Sequence, residues 1–286
     1  MTAHRIEYNR AGLSAIPAEA LRQTDLECLS FFQNTLRELP DALWRLRQLT
    51  TLNLGDNEIT LLPDGVGNLT KLTMLDLGHN ALTQLPDAIG KLTAHLNFLY
   101  LSHNQLDHLP ESLGRLNALT YLNASDNQLA ALHHNIGDMR SLVELRVYFN
   151  QLTALPDSIA ALSRLKELHA QQNKLISLPE QIGNLTQLRE LDLSDNQLTA
   201  LPASLGNLGQ LRRLSLRNNS ITALPSSLGN LRQLTHLDLR ANPLSALPDG
   251  INEIATLEKL DLRWCGLEPL PRWIDRLRAR GTLVYC

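Results

Sequence analysis

One arrangement of apolar positions returns along the chain every 23 residues. Stretches beginning at Leu49, Leu72, Leu119, Leu142, Leu165, Leu188, Leu211 and Leu234 read L-x-x-L-x-apolar-x-x-N-x-L/I-x-x-L, usually followed by P. Further copies start at Leu26, Leu96 and Leu257, so eleven complete units run from Leu26 to Ala279. One extra residue, around Thr93–His95, makes the unit at Leu72 a residue longer. A degenerate unit (Ile6, Tyr8, Leu13, Ile16, Pro17) precedes them, and a truncated one (Leu283, Tyr285) follows. The expected organisation is one continuous domain, with a capping unit over 1-25, repeats over 26-279 and a closing strand over 280-286.

Inside each unit the L-x-L step alternates with period two, which predicts a short strand with one buried face. The remainder, as in Pro63–Leu69, sets two apolar anchors among Pro, Gly and polar residues, and predicts an extended or loosely helical return. A strand and a return in every unit give parallel strands. No unit can bury its own leucines, so the core is one continuous ladder of stacked neighbours. His4, Arg5 and Glu7 at one end, and Arg276, Arg278 and Arg280 at the other, keep the terminal units polar.

The recurring Asn (Asn34, Asn57, Asn80, Asn104, Asn127, Asn150, Asn173, Asn196, Asn219 and Asn242) stands where the chain turns inward. Its amide offers donors and acceptors to backbone groups that the turn leaves unpaired. Cys265 holds that slot in the last complete unit and reads as a buried structural thiol. The prolines, from Pro40 and Pro63 onward, fix an extended bend leaving the strand. Asp41, Asp64, Asp87, Asp157 and Asp249 follow directly and are expected to cap short turns. The unit at Leu119 places His133 and His134 where the proline should stand, which reads as drift or as a local binding feature.

This motif resembles the leucine-rich repeats, in the 23-residue class with L-P after the second leucine pair. Intracellular signalling scaffolds, plant intracellular Ras-group-type repeat proteins and many bacterial repeat proteins and effectors carry that class. The resemblance covers nearly the whole chain. It implies an α/β repeat solenoid: a curved horseshoe with a parallel concave β-sheet and an irregular or short-helical convex side. The fold hosts many functions, so the partner is not implied.

Function should then sit where the repeat leaves the residue free. Counting from the first leucine, positions 3, 5 and 7 project from the concave sheet, and positions 2 and 8 flank them. Phe98, Tyr100, Tyr121, Tyr148 and Phe149 occupy such positions in three consecutive units. They are expected to form one aromatic patch suited to a protein partner. The other reading is that these rings merely cover apolar ridges of the sheet. Arg217, Arg240 and Arg263 share position 7 in successive units, with Trp264 beside them. Stacked like charges repel. Either Asp238 and Asp261 compensate within a mixed lattice, or an acidic partner segment lies along the arginines.

Asp56, His79, His103 and Asp126 share position 8, but Asp and His are ordinary turn residues there, and a linear column is not tetrahedral. No metal site is expected. G-x-S-x-G, Walker, H-E-x-x-H and kinase motifs are absent, as is paired-Cys metal spacing, so neither enzymatic activity nor a cofactor is expected.

Composition narrows the rest. Only 4% of residues are aromatic against 43% hydrophobic, so the core is aliphatic. The net charge of −3 gives no general attraction to nucleic acid or an anionic membrane. Cys28, Cys265 and Cys286 make no disulfide framework, and no apolar leader or 18-residue apolar run occurs. The expectation is a soluble cytoplasmic signalling scaffold that binds a protein on its concave face, with a monomer favoured over a homodimer. Recognition of host proteins by a bacterial effector type is the alternative.

Overall fold

The computed structural model describes residues 4–286. The chain falls into two compact units, Met1–Leu142 and Val143–Cys286. The first contains strands β1 (Arg5–Glu7), β2 (Cys28–Ser30), β3 (Thr51–Asn53), β4 (Met74–Asp76), β5 (Phe98–Tyr100) and β6 (Tyr121–Asn123). The second contains β7 (Glu144–Arg146), β8 (Glu167–His169), β9 (Glu190–Asp192), β10 (Arg213–Ser215), β11 (His236–Asp238), β12 (Lys259–Asp261) and β13 (Leu283–Tyr285). Within each unit every strand pairs in parallel with the next. This is the parallel repeat architecture that the sequence period predicts.

The register follows the repeat. Leu29, Leu52, Leu75, Leu99 and Leu122 stand opposite one another in the first unit. Leu145, Leu168, Leu191, Leu214, Leu237 and Leu260 do so in the second. All are buried. The extra residue near Thr93–His95 lies outside the strands, so Met74 still faces Phe98.

In the complete units before the last, each return folds into a five-residue 3-10 helix, such as Asp41–Arg45 or Glu180–Asn184, tighter than the loose helix anticipated. In the last complete unit the return is an α-helix, Ile274–Ala279, which precedes β13. The repeat proline is the residue that caps the 3-10 helix, in an extended conformation (Pro40, φ −72°, ψ 148°). The aspartate that follows, expected to cap, is instead the first residue of the helix. Proline's fixed φ sets the entry without a side-chain bond.

Two local devices turn the chain at each strand's end. The repeat Asn ties its own copy to the preceding one: Asn196 Nδ2 donates to Ala170 O and Leu193 O, and its Oδ1 accepts from Leu175 N. Asn57 does the same with Phe31 O, Leu54 O and Leu36 N. Immediately before the Asn, position 8 takes a left-handed backbone in every complete unit, with φ between 51° in Phe149 and 61° in Trp264. Asn, Asp and His tolerate that region best among residues with a Cβ. This explains the Asp56–His79–His103–Asp126 column without recourse to a metal.

Position 5 adds a third device. Where it is Asn or Asp, its side chain accepts from the backbone N–H two residues on, as Asn53 does from Gly55 and Asp76 from Gly78, both at 2.9 Å. Asp76 does this at a cost. Burial pushes its carboxyl above the ordinary range, against the pull of the Gly78 N–H and of His79. A raised carboxyl destabilises the fold above its own pKa, and the penalty fades as pH falls through it. Asp76→Asn keeps the acceptor and removes the charge. It is expected to raise the melting temperature at pH 7, with the gain over wild type shrinking as pH falls to 4. A gain that persisted unchanged at pH 4 would show that the carboxylate is not the source.

Candidate binding face

The strands present positions 3 and 5 away from the leucine ladder, and the functional side chains lie there and on the turn that follows. In the first unit, β5 and β6 bring Phe98, Tyr100 and Tyr121 together. The Tyr100 and Tyr121 ring centroids are 5.1 Å apart, and those of Phe98 and Tyr121 are 6.4 Å apart. Phe98 is exposed. In the second unit Tyr148 and Phe149 meet edge to face at 5.8 Å. Within the first unit three of the five rings expected to form one patch lie together, and within the second the other two do.

Phe149 and Trp264 differ from the other rings. Both occupy the left-handed slot, and their side chains stand in solvent, at 49% and 73% exposure. A bulky residue in that conformation costs of order 1 kcal/mol or more. Against that cost stand only partial contacts, Phe149 edge to face with Tyr148 and Trp264 beside the Arg263 guanidinium.

The arginine column resolves as a lattice. Arg217 pairs with Asp195 at 2.6 Å, Arg240 with Asp238 at 2.5 Å and Arg263 with Asp261 at 2.7 Å. Arg240 also reaches Asp261, at 3.6 Å. Asp261 has no exposed side-chain surface. Burial alone would push its carboxyl up. The Arg263 side chain and N–H, with the charges of Arg240 and Arg263, outweigh burial and hold it below the usual carboxylate range. Arg263 further lies over the rings of Trp264 and Tyr285, at 5.5 and 5.3 Å. Asp238 and Asp261 are the compensating acids that the sequence nominates.

The remaining candidates have structural roles. His79 and His103 stack at 4.0 Å, and His103 lies 3.5 Å from Asp126. His133 replaces the missing proline: it caps the 3-10 helix, and its Nδ1 accepts from Asn135 N. It also pairs with Glu111, at 2.8 Å, on the wall of a groove of about 1260 Å³ bordered by Pro63, Pro86 and Pro110. Cys265 is buried and donates to Leu239 O, as its place in the Asn column implies. Burial raises the thiols of Cys28 and Cys265, which keeps both protonated and poorly nucleophilic at neutral pH.

Sequence reasoning overlooked one cluster. Glu144, Glu167 and His169 on β7 and β8 place one ligand atom each within 4.8 Å of the others. The recurring Glu at position 3, in register across β7, β8 and β9, was the available signal.

Family models match the chain over most of its length. The model described as a leucine-rich repeat region covers residues 94–192 and 171–283, and a leucine rich repeat model covers 47–94. The chain belongs to the leucine-rich-repeat family. No curated protein matches this leucine-rich-repeat chain. Solved structures do. A leucine-rich-repeat protein of Leptospira interrogans is 26% identical, aligning 100% of this chain with 96% of its own, at a TM-score of 0.52. The internalin inlF of Listeria monocytogenes is 23% identical over 99% of this chain and 86% of its own, at 0.76, a likeness of fold alone. The ectodomain of the plant membrane receptor kinase GASSHO1/SCHENGEN3 of Arabidopsis thaliana is 30% identical, at 0.65. It was solved in complex with CASPARIAN STRIP INTEGRITY FACTOR 2, and the alignment covers 91% of this chain but only 34% of the receptor's. Among the described residues, no helix is long and apolar enough to cross a membrane.

Proposed function

We propose that this leucine-rich-repeat protein binds a protein partner on the concave face expected of its family, and serves as a cytoplasmic adaptor in signalling rather than as an enzyme. The observation that carries this reading is the pair Phe149 and Trp264. Each combines an unfavourable backbone conformation with a solvent-exposed ring, and aromatic side chains of that kind are the usual anchors of protein interfaces. Phe98, Tyr100, Tyr121 and Tyr148 extend the aromatic contact. Arg217, Arg240 and Arg263 supply oriented donors already held by acids, which favours a polar rim over a phosphate track. The GASSHO1/SCHENGEN3 complex supports a proteinaceous ligand. The free thiols fit a reducing compartment.

The test separates stability from binding. Phe149→Asn and Trp264→Asn replace each ring with the residue that suits a left-handed turn. The double variant is expected to melt at or above the wild-type temperature, yet to lose a protein that the wild type captures from native lysate. Truncation of such anchors typically weakens binding by about 2 kcal/mol or more, roughly thirtyfold. If both forms retain the same proteins, Tyr100→Ala/Tyr121→Ala tests the first unit in the same way. Retention by that variant as well would end the proposal for these rings.

A further inference from the structure

We propose that Glu144, Glu167 and His169 form a binding site for a divalent transition-metal ion, with zinc as the best fit. The site is independent of the aromatic anchors. Its ligand atoms come from adjacent strands of the second unit, β7 and β8, and already lie within 4.8 Å of one another. Two carboxylate oxygens and one imidazole nitrogen are a donor set that zinc accepts, with a fourth position left for water. The imidazole distinguishes this cluster from an acidic patch, since nitrogen ligands favour zinc, copper or nickel over calcium or magnesium.

Two further features point the same way. Glu144, Glu167 and Glu190 stand directly opposite one another along the sheet. Stacked like charges are destabilising without a counter-charge. The flanking members have arginines: Arg146 Nε lies 2.5 Å from Glu144 Oε1, and Arg213 lies 4.0 Å from Glu190. Glu167, in the middle, lies beside His169, whose ring nitrogen is 3.3 Å from its carboxylate. A divalent ion between Glu144 and Glu167 removes that repulsion. Second, Arg146 donates to Glu144 Oε1, the kind of outer-shell contact that orients carboxylate ligands.

Calorimetric titration of zinc chloride into the chelator-treated full chain tests the proposal, with calcium chloride in parallel. One zinc per chain is expected, with calcium binding at least tenfold more weakly. His169→Ala should weaken zinc by at least about tenfold, the least that loss of a supporting group costs a metal site. Glu167→Gln, nearly isosteric, should do the same and guards against a folding defect in the histidine variant. His79→Ala/His103→Ala should leave zinc affinity unchanged. On zinc addition, the His169 ring signals should shift in the nuclear magnetic resonance spectrum. The proposal fails if zinc shows no saturable binding, if both cluster variants bind as the wild type does, or if affinity is lost with His79 and His103 instead.

Discussion

Leu191→Asp unfolds the second unit at room temperature. Leu191 is 1% exposed and stands in register between Leu168 and Leu214, so a carboxylate there meets only leucine on either side. Deleting a buried leucine costs about 2–5 kcal/mol through lost transfer energy and the cavity left behind. Burying an unpaired charge adds several kcal/mol more. The sum approaches the whole stability of an ordinary domain, about 5–15 kcal/mol. In a repeat array each copy is stabilised by its neighbours, so the defect spreads along the strands. Circular dichroism should show loss of the cooperative melt, and amide hydrogen exchange should lose protection first in β8, β9 and β10. Leu191→Ala, with no charge to bury, should stay folded and melt lower. A Leu191→Asp protein that melts within a few degrees of wild type would mean that the leucine ladder is not the main source of stability.

Removing both arginines around Asp261 inverts its response to pH. In the wild type the carboxyl is held low, so its contribution to stability is complete above the ordinary carboxylate pKa, near 4, and is lost as pH falls through the depressed value. Arg240→Met/Arg263→Met keeps side chains of similar reach over the carboxylate but removes both cations. Burial then dominates and raises the carboxyl above its unfolded value. The variant should lose several degrees of melting temperature at pH 7 and recover part of that loss between pH 7 and pH 5, where the wild type changes little. Urea unfolding at both pH values reads the difference. Equal losses at pH 7 and pH 5 would show that Asp261 does not depend on these arginines.

Much of this was legible in the sequence because the repeat copies every structural constraint many times. The leucine ladder, the strand positions, the Asn column and the role of Cys265 all follow from period and residue type. The arginine lattice was legible too, since Asp238 and Asp261 lie two residues before Arg240 and Arg263 on the same face. What escaped depends on backbone conformation or on rotamers. The left-handed φ shared by Asp56 and Phe149 has no single residue signature, so Phe149 and Trp264 read as ordinary flanking rings. Asp41 looked like a cap because its residue type favours that role, yet proline had already taken the position. Glu144, Glu167 and His169 belong to two copies and to positions of different number, so no column displays them together.

The extra residue near Thr93–His95 sits in a return and leaves the pairing of Met74 with Phe98 intact. Returns therefore absorb changes in length that strands cannot, because a slip of one residue within a strand would turn its leucine to the solvent. A lineage carrying this architecture can accept small insertions between strands, and can duplicate or delete whole copies by recombination, without redesigning its interior. Its recognition surface grows or shrinks in fixed steps, like a ruler to which marks are added one at a time.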